Sequence, residues 1–158
     1  MSVLTPLLTP DHVRCQSPAT SRKRVLQDAA AALTDNDNAA DQLFDELMAR
    51  ERLGSTALGE GVAIPHCRGA CDAMRVYMIT TSVPVDYEAA DGDGVDIFFV
   101  LVVPKEEKEL HLHALAELST AFAEAAHRQA LRACHSDQEL HDVMHGLLGG
   151  APPSAAQR

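Results

Sequence analysis

The sequence predicts an α/β (α+β) fold in which helices flank a mixed sheet. Residues 96–103 are almost continuously apolar and are followed by Pro104, which is the pattern of a strand buried on both faces at the centre of a sheet. Apolar residues recur at helical spacing both before and after the strand-rich middle of the chain. The resulting order, α-α-β-β-β-α-α, favours a sheet with packed helices over a bundle or a sandwich. The 158 residues fit a single domain.

Two helices are predicted in the first third of the chain. Ser21 is the candidate N-cap of the first helix, and Asn38 is the candidate N-cap of the second. Gly54 is expected to end the second helix. Before them, residues 1–20 contain three prolines and should be extended or irregular, with a short turn near residues 4–8. The apolar positions that define the two helices are Val25, Leu26, Ala29, Ala30 and Leu33, then Leu43, Phe44, Leu47 and Met48.

Two further strands precede the central one, and helices follow it. Residues 62–64 and 76–82 are rich in β-formers, and Pro84 is expected to end the second strand. A helix should begin near Glu107, a short one should cover residues 129–134, and a last one should run to residue 148. Ser136, with Glu139 three residues later, is a capping-box signature for that last helix. Residues 149–158 are rich in small residues and proline and are predicted to be a disordered tail.

Composition narrows the functional classes. A formal net charge of −10 argues against nucleic acid as a partner, because phosphate backbones are bound mainly through Lys and Arg. The longest apolar run is far too short to insert into a membrane, so we expect a cytoplasmic protein. The four cysteines are expected to be reduced thiols, and we expect no cofactor and no metal.

His66 is the candidate reactive residue. It follows the strand-like run 62–64 and Pro65, so the segment holds its ring in a restricted position. A neutral imidazole has a lone pair near physiological pH and attacks phosphorus without first losing a proton. The pattern therefore indicates a histidine that carries a phosphoryl group, although a histidine after a proline is also compatible with a structural or merely exposed role.

A phosphoryl group needs hydrogen-bond donors and positive charge around it. The sequence offers backbone N–H groups near Gly59 and Gly61, the N-terminus of the helix that carries His111, and the guanidinium of Arg50. His111 is in a position to donate to the phosphoryl group or to steady the ring of His66.

Two ordered motifs occur in the chain. The first is Arg50-Glu51, Gly54-Ser55-Thr56 and Gly61-Val62-Ala63-Ile64-Pro65-His66, and the second is Leu110-His111-Leu112-His113-Ala114-Leu115. Together they resemble the type-2 EIIA domains of the bacterial phosphoenolpyruvate-dependent phosphotransferase system, the fructose and mannitol class. Residues 12–17, 22–24, 103–104 and 136–140 also resemble its nitrogen-related branch, EIIA-Ntr.

The resemblance implies one EIIA domain over residues 1–148 with a sheet of about five strands. It implies that His66 is the phosphoacceptor, that His111 assists it, that Arg50 balances charge, and that Thr56 helps to fix the loop. The implied donor is an HPr-like phosphocarrier. Sensor kinases or potassium transport components are the implied regulatory targets, so the chain would be a component of a phosphotransferase system rather than a stand-alone enzyme.

Three positions depart from the family pattern. Ala57 stands where glycine is usual, Cys67 where glycine or alanine is usual, and Glu60 where asparagine or another neutral residue is common. A carboxylate pointing into the site would oppose phosphorylation, so we expect Glu60 to face solvent.

Two other functions remain open from the sequence. The chain is also compatible with sugar uptake, in which it would pass phosphate to an EIIB protein. A small metal- or redox-sensing module would instead use His66, Cys67 and Cys71. His141 and His145, one helical turn apart, are expected to lie on a solvated helix face, and His113 is expected to point away from His111.

Overall fold

The computed structural model describes residues 2–69 and 71–149. In these residues one strand and two helices are followed by five consecutive strands and then by three helices. A short 3-10 turn at Pro10–His12 precedes the first strand. The predicted tail lies outside the described residues except for Gly149, so the boundary at residue 148 stays a prediction. In chain order the elements are β1 (Val13–Ser17), α1 (Arg22–Ala32), α2 (Asp37–Arg52), β2 (Ala57–Gly59), β3 (Val62–Ala63), β4 (His66–Gly69), β5 (Arg75–Val85), β6 (Val95–Pro104), α3 (Lys108–Ala123), α4 (Ala125–Arg132) and α5 (Asp137–Leu147).

The sheet is mixed and has six strands in the described residues. Its order is β1-β5-β6-β3-β2, and β4 also pairs with β6. β6 is antiparallel to β5 and parallel to β3 and β4, so the predicted central position of the apolar run 96–103 is confirmed. The prediction of a mixed sheet flanked by helices is confirmed too.

β3 and β4 are two parts of one extended segment. Val62 is opposite Ile97 and His66 is opposite Leu101, so the pairing keeps the same register along β6 across Ile64 and Pro65. The backbone N–H of Leu101 donates to the carbonyl of Pro65 at 2.9 Å, which continues the pairing between the two strands. This register determines which face of the sheet each residue of the segment occupies.

The two faces of the sheet bury separate apolar clusters. One cluster contains Cys67, Phe98 and Val102 and packs against α1 and α2. The other contains Ile64 and Leu101 and packs against α3, α4, α5 and the N-terminal segment. Successive residues of a strand point to opposite faces, so the segment 62–69 contributes alternately to the two clusters.

The helix caps explain where the helices begin. The Ser21 side chain accepts a hydrogen bond from the N–H of Arg24 at 3.1 Å, as predicted, and Ser136 accepts from Glu139 at 3.0 Å. The prediction that Asn38 caps α2 was wrong. Asn36 is the cap and accepts from the N–H of Ala39 at 2.8 Å, because any Asp or Asn of the tract 35–38 has a suitable side chain and the sequence does not select among them.

The strands differ more from the prediction than the helices do. β1 was missed between its flanking prolines, although it pairs in parallel with β5 at the sheet edge. β5 was expected to end before Pro84 but continues to Val85, since the pairing with β6 is irregular between Thr80 and Val85 and a proline is tolerated there. α4 begins at Ala125 rather than at residue 129. None of the helices within the described ranges is long and apolar enough to cross a membrane.

Candidate functional site

His66 is the first residue of β4 and lies on the α3 side of the sheet. Its strand neighbour Cys67 is buried in the cluster on the α1 and α2 side, so the alternation of the strand turns His66 to the opposite face. Leu101, which pairs with His66 in β6, belongs to the cluster beneath α3. The ring of His66 is therefore presented at the edge of the α3 layer, partly exposed.

The hydrogen bond of His66 defines which of its ring nitrogens keeps a lone pair. Nδ1 lies 2.7 Å from the carbonyl oxygen of Ile64. A carbonyl oxygen only accepts, so Nδ1 carries the proton and Nε2 keeps its lone pair. Burial, together with the positive charge of Arg50, lowers the pKa of His66 below its ordinary value, although the bond to Ile64 acts in the opposite direction. The ring is thus neutral at pH 7 with Nε2 as the available nucleophile.

His111 stands beside His66. It is the fourth residue of α3, and the centroids of the two rings are 5.1 Å apart with their planes at 69°. Nε2 of His111 is buried and has no hydrogen-bond partner among the described residues. Burial lowers the pKa of His111, and so do the charge of His66 whenever its ring is protonated and the charges of Arg68 and Arg50. A buried polar nitrogen without a partner is uncommon in native proteins and indicates a position where a ligand group accepts or donates.

Two arginines act on this pair of histidines. Arg50 belongs to the last turn of α2, and its Nη1 donates to the carbonyl of Gly54 at 2.8 Å. Arg68 is exposed on β4 and was missed from the sequence. The side chains that are charged at neutral pH and lower the pKa values of the two histidines are these two arginines, although the chain as a whole has a net charge of −10. The site is locally positive on an acidic protein.

Thr56 is held by a buried carboxylate. Glu51, only 3% exposed, accepts hydrogen bonds from the N–H of Thr56 at 3.0 Å and from its hydroxyl at 2.5 Å. The Tyr87 hydroxyl donates to the same carboxylate at 2.9 Å. These bonds join the end of α2 to the loop that follows it, and the same loop carries the carbonyl to which Arg50 donates. Thr56 therefore contacts Glu51, in keeping with the predicted role of fixing the loop.

Gly59 and Gly61 lie in the hairpin between β2 and β3. Both have positive φ, 92° and 79°, and a Cβ on Gly61 would lie 2.4 Å from Nη2 of Arg132. That guanidinium binds the carboxylate of Asp96 at 2.9–3.1 Å and the carbonyl of Glu60 at 2.7 Å. Gly61 is five residues of extended chain from His66, roughly 16 Å. Support of the phosphoryl group by these glycines stays a prediction, and the contacts described for them serve the hairpin.

The three departures from the family pattern are accommodated by the fold. The side chain of Glu60 is 73% exposed and lies 3.8 Å from Arg128, so the prediction that it faces solvent is confirmed. Its φ of 58° is in the left-handed region, which asparagine tolerates well. Ala57 is not among the positive-φ residues. Cys67 packs away from His66, and burial raises its thiol pKa to about 12.

The arrangement does not favour the metal- or redox-sensing alternative. Within the described residues no group of three or more His, Cys, Asp or Glu side chains is placed to hold a metal ion, and His66 and Cys67 point to opposite faces. The expectation of a solvated face for His141 was wrong. Its side chain is only 14% exposed, and Nε2 lies 2.9 Å from the carbonyl of Leu8, so it ties α5 to the N-terminal segment. His113 is exposed, two residues beyond His111 on the helix.

Sequence comparison defines the class. Residues 6–146 match the family described as the phosphoenolpyruvate-dependent sugar phosphotransferase system, EIIA 2. This match covers most of the chain, and the chain belongs to that family. The family assignment made from the two histidine motifs is confirmed.

Within the family, the chain is a homologue of the nitrogen regulatory proteins. It is 36% identical to the nitrogen regulatory protein of Pseudomonas aeruginosa over 152 residues, 93% of this chain and 97% of the relative. It is 32% identical to that of Escherichia coli K12 over 145 residues, 90% of this chain and 87% of the relative. The crystal structure of nitrogen regulatory protein IIA-Ntr from Neisseria meningitidis superposes with a TM-score of 0.85 at 33% identity, covering 93% of this chain and 99% of that one. IIA mannitol from Escherichia coli, at 17% identity and a TM-score of 0.70 over 89% of this chain and 98% of that one, shares the fold.

Proposed function

We propose that this protein is a phosphohistidine carrier of a nitrogen-related phosphotransferase system, with His66 as the phosphoacceptor. The observation that carries the proposal is the pair of histidines 5.1 Å apart, in which the Nε2 of His111 is buried without a partner. A phosphoryl group on Nε2 of His66 would bring oxygens to that nitrogen. A single bound group would then satisfy a buried polar atom that no described residue satisfies.

The chemistry needs no separate base. Nε2 of His66 attacks the phosphorus of a phosphohistidine on an HPr-like carrier, and a new N–P bond forms as the bond to the carrier breaks. The electron pair of the broken bond returns to the carrier's ring nitrogen, and a proton on the other nitrogen of that ring makes the leaving group a neutral imidazole. The proton on Nδ1 of His66 stays in its hydrogen bond to Ile64 throughout. Holding the ring in one tautomer and orientation before reaction lowers the entropic part of the barrier.

Charge is balanced by groups already in place. The transferring phosphoryl carries its negative charge on equatorial oxygens. His111, as a neutral ring with a proton on Nε2, donates to one of these oxygens, and Arg50 supplies positive charge from the end of α2. Because both histidine pKa values are lowered, the nucleophile is unprotonated and competent at neutral pH.

The test is phosphorylation from phosphoenolpyruvate through enzyme I and an HPr-like carrier, followed by intact-mass measurement. The wild-type chain should gain one acid-labile phosphoryl group, and His66→Ala should gain none. Equal labelling of His66→Ala would remove His66 from the mechanism. Nitrogen-15 NMR of the labelled protein should place the phosphoryl group on Nε2, and a phosphoryl group on Nδ1 would contradict the tautomer argument.

His111 is tested by rate rather than by extent. His111→Ala should still bind the carrier but exchange phosphoryl groups more slowly, by roughly 10²-fold, which is the usual cost of removing one donor to a developing charge. The matched control is His113→Ala, an exposed histidine two residues away on α3, which should exchange at the wild-type rate. Unchanged exchange in His111→Ala would assign it a structural role only.

Phosphorylation would also change which proteins the chain binds. The phosphoryl group adds about −1.5 to −2 charges at pH 7 and reverses the sign of the locally positive site, so the two forms offer different surfaces to a regulatory target in the cytoplasm. The alternative from the same family is transfer onward to an EIIB protein in sugar uptake. Phosphoryl transfer from the labelled chain to a purified EIIB would favour that alternative, and pull-down with a target that responds to the phosphorylation state would favour regulation.

A further inference from the structure

The strand that presents His66 also presents Arg68 on the same face. Residues two apart in a strand share a face and are roughly 7 Å apart. Arg68 pairs with Val103 of β6, and Val103 belongs to the apolar cluster beneath α3. The residue between the histidine and the arginine, Cys67, is buried on the other side. The alternation therefore directs Arg68 to the α3 side, where His66 and His111 meet.

Arg68 has no structural task within the described part of the chain. By contrast, Arg75 donates to the carbonyl of Leu33, and Arg132 binds Asp96. No hydrogen bond or ion pair with another described residue engages the guanidinium of Arg68, which is exposed. Its charge nevertheless reaches His111, whose pKa it helps to lower.

We propose that Arg68 is a second phosphoryl-binding residue, which contacts the phosphoryl group on His66 from β4, in addition to Arg50 at the end of α2. This inference rests on the proposed function of His66. A phosphoryl group carries about −1.5 to −2 charges at pH 7, and two guanidinium groups match that charge where one does not. A planar guanidinium also presents two parallel N–H donors that match two phosphoryl oxygens, a geometry that an ammonium group lacks.

The two arginines would have different duties. Arg50 donates one N–H to the carbonyl of Gly54, and this hydrogen bond holds the guanidinium in place before the phosphoryl group arrives. Arg68 makes no side-chain hydrogen bond with a described residue and is exposed on β4, two residues after His66. It is therefore suited to meet the phosphoryl group while it is still on the carrier and to follow it onto Nε2.

The test compares Arg68→Gln with Arg14→Gln. Arg14 is an exposed arginine in β1, at the opposite edge of the sheet, so both variants change the net charge equally at a strand position. Arg68→Gln should be phosphorylated roughly tenfold more slowly than wild type. This fall in rate is smaller than that expected on removing a buried donor, because solvent screens an exposed charge. Arg68→Lys should recover part of the rate, and Arg14→Gln should behave as wild type.

A second readout separates contact from a general structural effect. In phosphorus-31 NMR of the phosphorylated protein, loss of Arg68 should raise the pKa of the phosphoryl group, since a nearby positive charge favours its dianion, and Arg14→Gln should leave that pKa unchanged. In the unphosphorylated protein the pKa of His111 should rise in Arg68→Gln. Wild-type rate and an unshifted phosphoryl pKa in Arg68→Gln would overturn this proposal while leaving His66 as the phosphoacceptor. Absence of labelling in the wild-type chain would instead overturn the proposed function.

Discussion

Replacing Glu51 with alanine is expected to destabilise the protein strongly, because its carboxylate is the acceptor for three buried or half-buried donors. The carboxylate is 3% exposed and accepts from the Thr56 N–H at 3.0 Å, the Thr56 hydroxyl at 2.5 Å and the Tyr87 hydroxyl at 2.9 Å. Each buried donor left without an acceptor costs about 1–3 kcal/mol. Since water entering the space re-satisfies part of this, we expect a loss of roughly 3–5 kcal/mol.

That loss is large against the roughly 5–15 kcal/mol that stabilises a domain. For a chain of this size it corresponds to a fall in Tm of about 10 °C. Urea unfolding followed by far-ultraviolet circular dichroism measures it, since the chain has no Trp for fluorescence. Glu51→Gln is the conservative control. Its amide oxygen still accepts from Thr56, and both hydroxyls are able to accept from its amide nitrogen, so the loss should be about 1–2 kcal/mol.

A double-mutant cycle isolates the hydroxyl of Tyr87. In Glu51→Ala the Tyr87 hydroxyl has lost its acceptor. Tyr87→Phe should therefore lower the free energy of unfolding by about 1 kcal/mol less in this background than in the wild type. If Glu51→Ala unfolds within 1 kcal/mol of wild type, the claim that this carboxylate secures the end of α2 is wrong. Additive losses in the cycle would show that Tyr87 and Glu51 stabilise the protein independently.

The remaining predictions concern titration, the hairpin and the thiols. The pKa of His66 is lowered from its ordinary value of about 6.5 by burial, so the rate of phosphorylation should be constant above pH 6.5 and fall only at lower pH. Because the pKa of His66 is lower in the folded protein, the unfolded chain binds the proton first as the pH falls. The free energy of unfolding should therefore decrease as the pH falls from about 6.5 through the lower folded pKa. His66→Gln should remove this part of the pH dependence in urea unfolding. Gly61→Ala should lower the free energy of unfolding by about 2–4 kcal/mol, because the new Cβ displaces Arg132 and the backbone is strained. Gly92→Ala is the control: its φ is 76° and nothing lies within 4 Å of the added Cβ, so it should lose only about 1 kcal/mol through backbone strain. Equal losses in the two variants would exclude the contact with Arg132. Cys67 is buried and burial raises its pKa to about 12, so it should resist iodoacetamide in the folded protein at pH 8, while the partly exposed Cys71 should react. Peptide mass mapping that finds Cys67 modified first would contradict the assigned strand face.

The sequence was sufficient for the features that depend on strong local patterns. The apolar run 96–103 identified the central strand because a strand covered on both faces has few polar residues. Ser21 and Ser136 identified helix starts because a serine side chain caps well, and Glu139 completes a capping box with Ser136. His66 and His111 were proposed as a pair because both occur in specific motifs, and the fold brings their ring centroids to 5.1 Å; their roles in phosphoryl transfer stay a prediction.

Features that depend on tertiary pairing were not found. β1 has five residues between irregular segments, and only its pairing with β5 makes it a strand. Arg68 was missed because the strand was expected to end at residue 64, so the shared face of His66 and Arg68 could not be inferred. Glu51 was part of the quoted motif but received no role, since a glutamate at the end of a helix is usually exposed and only the fold buries it.

The unbroken pairing of residues 62–69 with β6 makes the length of this segment as important as its composition. An insertion or deletion of one residue between Val62 and His66 would exchange the faces of His66 and Cys67. The imidazole would then enter the layer of α1 and α2, and the thiol would stand before His111. Homologues and engineered variants should therefore tolerate substitutions in this stretch much better than changes in its residue count.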